Sequence, residues 1–82
     1  MTKGQARKKA GKLITQVKQG PLQEWLHAAA NIEGFGAALE GFYCGREGSI
    51  NVELSGEFVG LYLTMGWHTV SDTPKVEYAY VS

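Results

Sequence analysis

Residues 50–67, INVELSGEFVGLYLTMGW, decide the fold, because they hold two successive runs in which apolar residues alternate with polar or small ones. Ile50, Val52 and Leu54 alternate with Asn51 and Glu53, the period of two expected of a strand with one buried face. Ser55-Gly56 reads as a tight turn. After it, Val59, Leu61, Leu63, Met65 and Trp67 alternate with Phe58, Gly60, Tyr62, Thr64 and Gly66 over a long strand.

Downstream, Asp72, Thr73 and Pro74 break this run. Lys75 to Val81 is rich in β formers and alternates Val76, Tyr78 and Tyr80 with Glu77, Ala79 and Val81. Upstream, Phe35, Leu39 and Phe42 fit a helix, but Gly34, Gly36, Gly41, Gly45 and Gly48 argue against one, and a strand from about Ala38 to Cys44 is the favoured reading. Gly45-Arg46-Glu47-Gly48 then serves as a hairpin loop into Ile50.

The period changes in the first part of the chain. Ala6, Ala10, Leu13, Ile14 and Val17 recur at spacings of three and four, which predicts an amphipathic helix over about Gln5 to Gln19. Gly20-Pro21 stops it, and Gly4 and Gly11 weaken its first turns. Pro21 suits the first position of a second helix, carried by Leu22, Trp25, Leu26 and Ala29 to about Asn31. So short a link implies an angled or antiparallel helix pair. The expected fold is α+β: two N-terminal helices followed by a three- or four-stranded antiparallel meander, in a single domain over residues 1–82 with residues 1–4 frayed.

Composition narrows the function classes. At 44% hydrophobic and 20% charged, the chain has the apolar content of a folded domain with one thin core. A single cysteine, Cys44, allows no intrachain disulfide and fits a reducing, cytoplasmic setting. No apolar run approaches the roughly 20 residues of a membrane-spanning helix, and no apolar core of a signal peptide follows the basic start.

Catalytic and cofactor chemistry finds no foothold. Nothing in the spacing of Cys44, His27 and His68 supports a nucleophile and base pair, and the three are too few and too scattered for a zinc site. Gly34-Phe35-Gly36 lacks the third glycine of a dinucleotide loop and the Gly-Lys-Ser/Thr of a phosphate loop. No catalytic residue, cofactor or metal is therefore expected.

Charge is the more informative feature. The eight cations and eight acids cancel overall, yet Lys3, Arg7, Lys8, Lys9, Lys12 and Lys18 all precede Gly20 with no acid among them. These six would attract phosphates or an acidic protein face; the bland alternatives are a solvated helix face or neutralisation by the acidic remainder of the fold. The second candidate surface is aromatic. Phe58 and Tyr62 are expected on one face of the long strand, with Tyr78 and Tyr80 on one face of the last. Glu40, Glu53, Glu57 and Glu77 share that sheet and would repel a phosphate backbone, so the surface suits a protein partner or a homodimer better than a nucleic acid.

Gly66-Trp67-His68 to Tyr78-Ala79-Tyr80-Val81-Ser82 resembles the closing segment of small uncharacterised tailed-phage accessory proteins, which often end on an aromatic strand. The resemblance covers residues 66–82 alone. Asp72-Thr73-Pro74 stands where those proteins tend to have a polar Ser-Gly turn, and no functional residue carries over. It implies a phage accessory protein, a class whose members frequently bind host proteins. The leading expectation is a non-enzymatic protein that binds a host or viral protein in the host cytoplasm through the aromatic and acidic sheet face, the basic helix or both. The alternative expectation is a nucleic-acid binder that contacts phosphates through the basic helix.

Overall fold

The order of elements follows the change of period from three or four to two. The computed structural model describes residues 2–39 and 48–82. Helix α1 spans Lys3–Thr15, α2 Leu22–Ala30 and the short α3 Gly36–Leu39; strands β1 Gly48–Glu53, β2 Tyr62–Val70 and β3 Thr73–Val81 form one antiparallel sheet in the order β1-β2-β3. The arrangement is α+β, with the two helices ahead of a three-stranded meander.

Helix α1 starts on a reciprocal cap. The Thr2 hydroxyl accepts from the Gln5 N–H at 3.1 Å and the Thr2 N–H donates to Gln5 Oε1 at 3.0 Å, which satisfies two donors at the very turn that Gly4 weakens. Ala6, Ala10 and Ile14 are buried and Leu13 and Val17 half-buried, as the stripe predicts. The helix ends at Thr15, four residues before the expected Gln19. The cause lies across the fold: the Gly20 carbonyl accepts from the Val76 N–H at 3.1 Å and Pro21 bridges to Lys75, so the chain is extended by the time it reaches β3.

Pro21 stands one place earlier than expected, at the N-cap of α2, with extended backbone at ψ 137°. Leu22, Trp25 and Ala29 enter the core. Helix α1 packs along β3 and against the turn at residues 56–58, while α2 packs on α3 and β3.

The strand expected from Ala38 begins as helix. Ala38 and Leu39 belong to α3, and the rest of that segment, Glu40 to Cys44, with the loop residues Gly45 to Glu47, lies outside the described residues. Helical spacing prevails here because Phe35 and Leu39, four apart, both reach the core, Phe35 meeting Phe58 edge-on at 5.8 Å.

The long strand expected from Phe58 starts later. Gly56–Phe58 is a turn of 3-10 helix, bracketed by Gly56 and Gly60 at φ +64° and +89°, and the Leu54 N–H donates to the Leu61 carbonyl at 2.8 Å to close the loop. Two left-handed residues in sequence with it leave Phe58 wholly buried and Val59 70% exposed, the reverse of the alternation expected on either side of them. Beyond it, Leu61, Leu63, Met65 and Trp67 are all buried. Burial of each such side chain stabilises the fold by about 1.5–3 kcal/mol.

The break after β2 also moves. Ser71 and Asp72, at φ 51° and 66°, are the turn itself, and Pro74 sits within β3 opposite Thr69. A bulge interrupts the β2–β3 register between Gly66 and Trp67: Gly66 faces Tyr78 and Trp67 faces Val76, leaving Glu77 without an opposite residue. That extra residue changes which side chains face inward. Val76 enters the core beside Trp67, whereas Tyr78 and Tyr80 face out and Ala79 and Val81 pack inward, so Val76 does not share a face with the tyrosines.

Candidate functional site

The outer face of the sheet is organised in rows across the three strands. Ser49, Gly66 and Tyr78 form one row, Asn51, Thr64 and Tyr80 the next, and Glu53 faces Tyr62 at the end. Tyr62, Tyr78 and Tyr80 are 43%, 40% and 53% exposed. Tyr78 and Tyr80 stack with ring centroids 6.2 Å apart and planes at 26°.

Gly66 determines how Tyr78 lies. A β-carbon at residue 66 would stand 2.5 Å from Tyr78 Cε1 and 2.7 Å from its hydroxyl oxygen, so the ring rests against bare backbone. This is an aromatic ring covering a strand glycine, an arrangement that fills the gap the missing side chain leaves.

Three of the four expected sheet aromatics are therefore at the surface and one is not. Phe58 is fully buried against Phe35, held inward by the 3-10 turn, and cannot touch a partner. The acids are also redistributed. Glu53 and Glu77 lie exposed beside the tyrosines, but Glu57 turns toward α1 and Glu40 lies outside the described residues. Near the bulge, Glu77 Oε2 lies 3.6 Å from His68 Nδ1, an ion pair when the imidazole is protonated.

On α1, Lys3, Arg7, Lys8, Lys9 and Lys12 are all exposed, and Lys18 is exposed in the loop that follows. Lys9 Nζ reaches both oxygens of Glu57, at 3.0 and 3.2 Å. One cation of the six is thus answered from within the fold; among the described residues no ion pair joins the other five.

The two candidate surfaces touch at one point. A cleft of about 420 Å³ is lined by Lys3, Gly4 and Arg7 on one side and by Gly60, Leu61, Tyr62 and Ser82 on the other. Tyr62 borders both the aromatic face and the basic helix, a junction that charge counting along the chain does not reveal. The sequence signal for this surface is Gly66 itself, a strand glycine six residues before the expected break at Asp72.

Among the described residues no group of three or more His, Cys, Asp or Glu could hold a metal ion, and none of the helices there is long and apolar enough to cross a membrane. Cys44 lies outside the described residues, while His27 is exposed on α2. Comparison with protein-family models, with curated proteins and with solved structures finds no match to this chain.

Proposed function

We propose that this chain is a non-enzymatic binding protein whose outer sheet face docks a protein partner, in keeping with the phage accessory role that the C-terminal resemblance implies. The observation that supports this reading most directly is the cluster of Tyr62, Tyr78 and Tyr80 on one face, with Tyr78 seated on Gly66 and stacked on Tyr80. Tyrosine offers large contact area with few rotatable bonds, and rings already stacked lose little freedom on binding. Glu53 and Glu77 at the margin supply a polar rim around this apolar centre.

The test is capture of a partner by the intact chain and by a Tyr78→Ala, Tyr80→Ala double variant. The variant should unfold within a few degrees of the wild type and lose the partner. A variant that folds and still captures it would overturn the reading.

A second reading rests on a separate observation, the five α1 and loop cations that no acid among the described residues answers. In it, Lys3, Arg7, Lys8, Lys12 and Lys18 hold the phosphates of a nucleic acid, without base readout. Absence of binding to generic duplex DNA at low salt would sink it.

A further inference from the structure

Among the described residues, strand β3 is an edge strand guarded over half its length. Its first half carries the usual protections against an added strand: Pro74, Lys75, the bulge opposite Gly66 and Trp67, and the segment Gly20-Pro21, which pairs with Lys75 and Val76. The second half, Tyr78-Ala79-Tyr80-Val81, has no proline, charge or bulge, and among the described residues no segment pairs with its outer edge.

The ladder shows which groups point outward there. Tyr62 and Ser82 exchange both backbone hydrogen bonds, at 2.8 and 2.9 Å. The pairs Thr64 with Tyr80 and Gly66 with Tyr78 fall at the same phase, so the N–H and C=O groups of Ala79 and Val81 point away from β2. Beside this edge runs α1, which packs along β3 and carries Lys3, Arg7, Lys8, Lys9 and Lys12 with no acid. Clefts open at both ends of that seam, one at Lys3, Arg7 and Ser82 and one of about 460 Å³ at Ile14, Lys18 and Ala79.

We infer that the partner contributes an extended acidic segment that adds as a fourth strand on the Tyr78–Val81 edge of β3. Its acidic side chains fall on the side of α1, and the alternate, apolar ones extend the Tyr78 and Tyr80 face. A second copy of this chain fits less well, because edge-to-edge pairing would bring two acid-free basic helices together. The inference rests on the protein-binding reading above and names the form the partner takes.

The test uses a capped hexapeptide of alternating Glu and Val and the same peptide with every amide N-methylated, added to the 15N-labelled full chain at low salt. The unmodified peptide should slow hydrogen exchange of the Ala79 and Val81 amides at least tenfold, an effect that fades as salt rises; the methylated peptide should do nothing. A chain carrying Arg7→Glu and Lys12→Glu should lose the protection while keeping its fold. Unchanged exchange at millimolar peptide overturns the inference, even where the intact chain still captures a partner through its tyrosines. Protection that grows with chain concentration and ignores the peptide also overturns it, in favour of self-pairing.

Discussion

The phenol ring of Tyr78 lies against the backbone of Gly66 on the neighbouring strand, with Cζ 2.6 Å from the place a β-carbon would take. Gly66→Ala therefore sets two effects against each other. Alanine restricts the unfolded chain more than glycine, worth roughly 0.5–1 kcal/mol in favour of folding, whereas overpacking costs about 1–3 kcal/mol where neighbours cannot move. Tyr78 is 40% exposed and can swing outward, so the net change in stability should stay within about 1 kcal/mol. Partner capture should nonetheless fall sharply, because the Tyr78–Tyr80 stack is displaced. Urea unfolding beside a capture assay measures both.

Phe58 and Tyr80 separate core from surface. Phe58 is fully buried between the 3-10 turn and Phe35, so Phe58→Ala should cost about 3–5 kcal/mol, enough to unfold much of a small domain. Tyr80, 53% exposed, should cost about 1 kcal/mol or less on truncation to Ala. Denaturant midpoints for the two variants should differ widely; similar midpoints would mean that the turn does not bury Phe58.

What was legible in the sequence follows from how local each determinant is. The stripe Ala6, Ala10, Ile14 and the alternation through Leu61, Leu63 and Met65 name the core correctly, because a single period fixes a face over several turns or residues. The errors fall where a non-local partner or a left-handed residue resets the phase. Alternation puts Phe58 on the sheet because the two positive-φ glycines around it are invisible to a simple period. The early end of α1 depends on Gly20 bonding to Val76, far along the chain. Alternation gives Val76 and Tyr78 one face because the bulge at Gly66 is a property of two strands together. Of the candidate surface, the tyrosines and cations could be named, but their meeting at Tyr62 could not.

The turn between β2 and β3 offers a stability test independent of function. Ser71 and Asp72 both occupy left-handed backbone, as a two-residue hairpin turn of the primed kind demands. Ser71→Asn should raise stability by a few tenths of a kcal/mol, since Asn tolerates this conformation better. Ser71→Val should lower it by about 1 kcal/mol or more, because a β-branched side chain is strained there. Thermal unfolding should place the three proteins in the order Asn, Ser, Val.

The ion pair between Lys9 and Glu57 makes the cations of α1 unequal, and that inequality discriminates the nucleic-acid reading from the protein-binding one. A surface pair of this kind, with both side chains substantially exposed, contributes at most about 1 kcal/mol to stability. It does, however, commit the Lys9 ammonium, which would have to leave Glu57 before meeting a phosphate. If α1 holds DNA, each phosphate contact should add about 0.9 to the slope of log affinity against log salt. Lys12→Ala, which removes a cation that no acid among the described residues answers, should reduce the slope by nearly that amount, and Lys9→Ala by clearly less. Glu57→Ala should then steepen the slope by releasing Lys9. A salt titration in which all three variants match the wild type would show that α1 does not grip the phosphates, leaving its cations for the acidic segment proposed at the edge of β3.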